Sequence, residues 1–305
     1  MDLVLGVDAG GTSTRALLAT VRGEVVARGT AAGGNPIAIG HGQALRALDT
    51  ALREVLVDVD PATVAHAVIG MAGDRSASTA ALDSTWRALG LTCGYDVVGD
   101  ALVAFAGATP ARSGTVLIAG TGAIAVRVEE GALADCAGGL GWLLGDEGGG
   151  FWFGRAAVRT AVAAVRRGRP TKLSQRVVTR LLGHDSADAG QLIVAAYDRP
   201  PLQLAELAPL VFEAAADGDA EADLIIGEAA EHLDVMLRSV QHPDPSAPVV
   251  FAGSCLGNAL LRDRVAGLLT APALVAASGE AGAAWLASVH VAGPSPAVHA
   301  LLTGR

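Results

Sequence analysis

Aromatic residues are scarce in this chain. Phe, Trp and Tyr together make up 4% of its 305 residues, so Ala, Val and Leu must fill the core, which favours helices packed closely on sheets. Cysteine is scarce too. Cys93, Cys136 and Cys255 are far apart and odd in number, no CxxC occurs, and no histidine stands at ligand spacing from any of them. A disulfide framework and a cysteine-built structural zinc site are therefore not expected, and a cytoplasmic protein is. Basic charge is short: 22 Lys and Arg face 31 Asp and Glu, for a net charge of −9. Nonspecific binding to nucleic acid or to an anionic membrane needs a basic surface, so neither partner is expected. The short run Arg166–Arg169 reads as a helix end whose cations meet the macrodipole. The N-terminus carries Asp2 where a signal peptide has positive charge, and its apolar run stops at Asp8. One stretch, Ala281–Gly304, lacks Asp, Glu, Lys and Arg, but Gly293-Pro294-Ser295-Pro296 interrupts it. It reads as a packed helix followed by a tail, not as a membrane span.

Apolar residues are abundant, at 51%, and the length allows two domains, since single cores seldom grow beyond roughly 250–300 residues. Strand-like apolar runs alternate with amphipathic segments, which is an α/β pattern. "LVLGVDAGGTSTRALLA" reads as two strands around a glycine turn, and "GEVVARGTAAGG" as a third strand. Leu45, Leu48, Leu52 and Val55 have helical spacing, as do Leu82, Trp86 and Leu89. "AHAVIGMAG" reads as a buried strand ending in a glycine turn. "YDVVGDALVAFAGA" reads as a short strand that delivers Asp100 to the start of a helix. The opening plan then recurs in "GTVLIAGTGAIAVRVEEG", which suggests an internal duplication. Mostly helical sequence runs on to Gln241, followed by the strand "PVVFAGS" and a helix from near Asn258. The expected division is a domain over 1–112 and a second over 113–305, with a last helix at about 280–290 that could pack back on the first.

The glycine turns admit two readings. Gly10-Gly11 could serve a tight turn that needs positive φ, with Asp8 as a turn residue. Alternatively, backbone N–H groups of Gly10, Gly11 and Thr12, and of Gly120, Thr121 and Gly122, could cradle phosphate oxygens without any side-chain cation. The second reading matters because the chain has neither a GxxxxGK[ST] loop nor a GxGxxG ahead of a helix. A third turn, Gly253-Ser254, follows a strand and precedes a helix, a placement that suits the nucleoside end of a nucleotide. Phosphoryl transfer also needs a magnesium site and a group to deprotonate the attacking hydroxyl. Asp8 suits the metal, and Asp100 suits the base. Both Asp100 and Asp146 could equally be caps of the helices that follow them.

With these residues in view, the chain resembles the sugar kinases of the actin-like (hexokinase/Hsp70/actin) ATPase superfamily, and in particular the N-acetylglucosamine kinase and BadF-type group. "GVDAGGTSTR" looks like the first phosphate motif, "IAGTGAIA" the second, "VFAGS" the adenosine motif and "EAGAAWLA" the closing helix. "GGLGW" followed by "LLGDEGGGFW" resembles a signature of the N-acetylhexosamine kinases. The resemblance implies two RNase H-like domains flanking a nucleotide- and sugar-binding cleft. It also implies ATP and Mg2+ as cofactors, a small-molecule amino sugar as substrate, and a homodimer. By position, Asp100 would be the base toward the 6-hydroxyl. Asn35, Thr121, Gly139, Leu140 and Asp146 would meet the sugar, and Thr12, Gly253 and Ser254 the nucleotide. Leu140 stands where animal members carry tryptophan, and Ala123 where serine is common. The radical-dehydratase activators of the same group use paired cysteines to hold an iron–sulfur cluster, and this chain shows no such pairing. The zinc motif of the repressor-type sugar kinases is missing as well.

Overall fold

The apolar run from Leu3 forms β1 (Leu3–Ala9), whose side chains alternate between two cores, as the period of a strand requires. Leu3, Leu5 and Val7 join one cluster with Leu18, Leu52 and Ile69, while Val4 joins another with Leu17, Val68, Val103 and Trp285. The computed structural model describes residues 2–71, 79–185, 188–270 and 272–305. The glycine turn expected at Ala72-Gly73 lies outside the described residues.

β1 is the central strand of a five-stranded sheet. β2 (Ser13–Thr20), β3 (Val25–Ala32), β4 (Val64–Met71) and β5 (Gly94–Gly99) complete it in the order β3-β2-β1-β4-β5. The β1–β2 and β2–β3 pairs are antiparallel, and the β1–β4 and β4–β5 pairs are parallel. A short turn, α1 (Pro36–Ile39), leads into α2 (His41–Val55). In α2 the residues Ala44, Ala47, Leu48, Ala51, Leu52 and Val55 form a buried stripe at helical spacing. With α3 (Thr79–Ala88), α2 covers one face of the sheet. The other face is covered by α4 (Asp100–Ala106) and by the penultimate helix (Gly279–Ala292).

A second five-stranded sheet has the order β10-β9-β6-β7-β8. Its strands are β6 (Gly114–Ala119), β7 (Ala123–Glu129), β8 (Ala132–Gly138), β9 (Val249–Ala252) and β10 (Leu274–Val275). A helical layer supplies most of its core. The helices are α5 (Gly150–Arg166), α6 (Lys172–Leu182), α7 (Ala189–Tyr197), α8 (Ala208–Ala216) and α9 (Ala220–Val240), then α10 (Ser254–Gly257) and α11 (Ala259–Ala266). Phe153, Leu173, Val177, Ile226 and Leu233 from this layer meet Leu117 and Phe251 of the sheet. The chain ends in α12 (Gly279–Ala292) and α13 (Pro296–Thr303).

Backbone proximity groups Met1–Val116, Val128–Ala134 and Leu274–Arg305 into one unit, and Leu117–Arg127 with Asp135–Ala273 into a second. α12 therefore belongs with the first sheet. The sequence expectation of a tail after the Gly293–Pro296 break is corrected: Ser295 accepts from the Val298 N–H and Pro296 opens α13, a cap-plus-proline start that proline's fixed φ favours. Among the described residues no helix is long and apolar enough to cross a membrane.

Gly6 sets how closely α12 lies on β1, because a Cβ there would stand 2.2 Å from the Ala284 nitrogen. Gly6→Ala is expected to lower the unfolding free energy by about 1–3 kcal/mol or more, as overpacking does. Gly227, inside α9 with open space around its missing Cβ, is the contrast. Gly227→Ala should raise stability by roughly 0.5–1 kcal/mol. Urea melts of the two variants check the pair of signs.

Candidate active site

Three carboxylates meet where β1 ends and two helices begin. Asp8 is the penultimate residue of β1. Asp100 is the first residue of α4, and Glu280 is the second of α12. Gly279 makes room for the group, since a Cβ there would fall 2.4 Å from Asp8 Oδ2. Burial, then the negative charges of Asp100 and Glu280, push the Asp8 carboxyl up to about 7, against an opposing pull from Arg15. Arg15 lies directly across the β1–β2 pair from Asp8. Burial also raises Asp100, opposed by N–H donation from Ala101 at 2.9 Å and from its own backbone.

Glu280 was not among the residues expected from sequence. It is 6% exposed, Oε1 meets Arg28 at 3.3 Å, and Oε2 is buried with no hydrogen-bond partner. Its signal was present, as the single acid in an otherwise uncharged helix. The capping alternative for Asp100 is not what the structure shows: Gly99 occupies the N-cap position, and Asp100 lies inside the first turn.

The first glycine turn borders this corner. The Gly10 N–H donates to the Ser13 carbonyl at 3.0 Å, and the Gly34 N–H donates to the Gly10 carbonyl at 2.9 Å. Asn35 follows immediately, so the turn and the loop carrying Asn35 are tied together. Neither Gly10 nor Gly11 has positive φ, so left-handed geometry is not why glycine stands there. Thr12 is exposed on the same turn.

In the second unit another set of candidate residues converges. The turn Gly120–Gly122 joins β6 to β7 and is closed by a Gly120 N–H bond to the Gly122 carbonyl at 2.9 Å. The start of α5 docks on it, with the Gly150 N–H on the Gly120 carbonyl at 2.7 Å and the Phe151 N–H on the Thr121 carbonyl at 3.0 Å. Gly253 has φ 90°, and a Cβ on it would sit 2.4 Å from the Ala119 carbonyl oxygen. The Gly253-Ser254 turn therefore lies directly beside Gly120.

Asp146 is buried in left-handed backbone, φ 63°. A Cβ on Gly122 would fall 2.4 Å from its carboxylate. Burial raises its pKa, while backbone N–H groups of Ala123 and Gly141 oppose that rise. It is not a helix cap, because α5 begins at Gly150 with Gly149 at the cap position. Gly139, φ 66°, donates to the Ala123 carbonyl at 2.8 Å, and Leu140 is 63% exposed. A groove of about 570 Å³ elsewhere in this unit, lined by Arg155, Arg159, Arg167, Glu221 and Leu224 among others, holds none of these residues.

The donor chemistry of the first corner fits magnesium. Mg2+ takes hard oxygen ligands, and the corner offers Asp8, Asp100 and the orphaned Oε2 of Glu280. Stability should carry the mark of this crowding. The Asp8 pKa is higher folded than unfolded, so its contribution is complete below about pH 4 and is lost as pH rises through about 7. Melting temperatures of the metal-free protein are expected to fall between pH 5 and 8. Asp8→Asn should flatten that decline, and an unchanged slope would contradict the assignment.

Comparisons with known proteins find similarity to amino-sugar kinases. The chain is 31% identical to the N-acetyl-D-glucosamine kinase of Dictyostelium discoideum over 256 residues, covering 78% of this chain and 79% of that one. It is 29% identical to an N-acetylmuramic acid/N-acetylglucosamine kinase of Clostridium acetobutylicum, with 79% of each chain covered. A solved structure from Chromobacterium violaceum, assigned provisionally as an N-acetylglucosamine kinase, superposes with a TM-score of 0.74 at 25% identity. It covers 94% of this chain and 99% of that one. Residues 5–284 match the BadF/BadG/BcrA/BcrD ATPase family, and the chain belongs to that family.

Proposed function

We propose that this protein is an ATP-dependent sugar kinase that transfers the γ-phosphoryl group of ATP to the 6-hydroxyl of N-acetyl-D-glucosamine. The observation that carries the reading is the meeting of Asp8, Asp100 and Glu280 beside the first glycine turn, in a chain whose relatives bear amino-sugar kinase names. A cytoplasmic setting supplies ATP and Mg2+.

In the first unit, Asp100 accepts the proton of the attacking hydroxyl. Burial raises its basicity, which brings a carboxylate closer to the pKa a base needs near neutral pH. Asn35 orients the sugar, and the turn of Gly10, Gly11 and Thr12 meets phosphate, with the N–H groups of Gly11 and Thr12 as donors because that of Gly10 bonds the Ser13 carbonyl. Asp8, with Glu280 beside it, would hold Mg2+, which would supply neutralising charge to the phosphates. In the second unit, Gly120, Thr121 and Gly122 meet phosphate, Gly253 and Ser254 the nucleoside end, and Gly139, Leu140 and Asp146 the sugar. The chain has a single lysine, Lys172, whose ammonium bonds the Asp217 carbonyl. That lysine is engaged away from the glycine turns, and backbone amides with metal are the phosphate partners of this reading.

Two measurements test the reading. ATP consumption against a panel of hexoses, amino sugars and polyols should show N-acetylglucosamine as the preferred acceptor, with the product phosphorylated at O6. Turnover only with a polyol or a non-amino sugar would refute the substrate, and no acceptor-dependent turnover would refute the kinase. Asp100→Asn keeps an acceptor for the Ala101 N–H but cannot take the proton. Its kcat should fall by about 10²–10⁴ with no drop in melting temperature, since a crowding charge is removed from beside Asp8, and more than a tenth of the parent kcat would refute its role as base.

A further inference from the structure

A second cluster of ligating side chains lies in the first unit, away from the carboxylate corner. Asp8 pairs in register with Gly70 on β4, whereas His66 pairs with Val4. His66 is thus four rungs back along the strand, ~13 Å at ~3.3 Å per residue. On the neighbouring parallel strand Gly94 lies opposite His66 and Asp96 opposite Val68, so Asp96 shares a face of the sheet with His66. The last turn of α12 brings His290 over the same spot. The two imidazoles stack with centroids 3.7 Å apart and planes 3° from parallel. His66 Nε2 lies 3.0 Å from Asp96 Oδ2, and His290 Nδ1 lies 3.9 Å from the same oxygen. His66 is buried, whereas Asp96 and His290 are exposed.

We propose that His66, Asp96 and His290 form a binding site for one divalent transition-metal ion of the zinc class. Two imidazole nitrogens and one carboxylate are the donors that such borderline ions take, and they disfavour Mg2+, which prefers oxygen. One ligand atom from each residue lies within 4.8 Å of the others. Two ligands each ~2.1 Å from one ion stand no more than ~4.2 Å apart. The His66–Asp96 and His290–Asp96 separations already satisfy that limit. Parallel stacked rings direct their lone pairs side by side, so the exposed His290 turns about its side-chain torsions to aim Nδ1 at the ion. His66 and Asp96 stay fixed by the sheet. Water completes the coordination on the exposed side. Bound metal clips the C-terminal end of α12 to β4 and β5, on the same helix whose first turn carries Glu280.

The test uses the full chain, freed of metal and titrated with Zn2+ against a chromogenic chelator. The parent is expected to bind one equivalent through this site. His290→Ala, a change at an exposed position, should weaken that equivalent by about tenfold or more, and Asp96→Asn should weaken it as well. Cys136→Ser, which removes an exposed thiol elsewhere, should leave it unchanged. Zn2+ should raise the melting temperature of the parent and not of His290→Ala, and Mg2+ should give no such difference. Equal stoichiometry and affinity in the parent and His290→Ala would overturn the proposal, as would no Zn2+ binding by the parent or loss of the equivalent in Cys136→Ser.

Discussion

The crowding of Asp100 and Glu280 against Asp8 is the constraint on which the first unit is organised. Asp8 sits against the first residue of α12, and the charges of Asp100 and Glu280 act on it. Such a group is costly to desolvate unless a cation or protons neutralise it. The fold imposes the crowding through close backbone approach. Glycine at position 6 lets α12 lie directly on β1, and glycine at position 282 lets the same helix meet α4 within 2.0 Å of where a Cβ would strike the Val103 carbonyl oxygen. A helix laid so tightly on the sheet brings Glu280 to Asp8 across 272 residues of sequence. The carboxylate corner is thus a consequence of packing, and packing is what holds its charge in place.

The second unit solves a different problem, which is how to present backbone amides. Its glycine turn is fastened on two sides, by the first turn of α5 through Gly150 and Phe151 and by Gly253 from β9. Asp146 braces it by packing on Gly122 in a left-handed conformation, a strained arrangement for a residue other than glycine. A turn of backbone amides suits an acidic chain with one lysine, because amide N–H groups attract phosphate without adding basic surface.

Much of this was legible in the sequence, for reasons that particular residues make plain. The alternation of Leu3, Leu5 and Val7 against Val4 marked a two-sided strand, and the stripe from Leu48 to Val55 marked α2. Asp8 and Asp100 stood out as acids at the ends of apolar strands. Local patterns could not show Glu280's role, since its partners are remote in sequence. Nor could they show that Asp146 braces a turn instead of capping a helix, because both uses place an aspartate just ahead of a helical segment. β8 was missed because "ALADCAG" is exposed along most of its length and has no apolar period. α13 was missed because the Gly-Pro break was weighed above the Ser295-Pro296 start that follows it.

The central claim is that Asp8 and Glu280 share one electrostatic environment. The most direct measurement is a carbon-13 NMR titration of the Asp8 carboxyl in the metal-free protein, alongside Glu280→Gln. The account expects Asp8 to titrate near 7 in the parent and at a lower pH once the Glu280 charge is removed. A parent value in the ordinary aspartate range, or one that Glu280→Gln leaves unmoved, would contradict it.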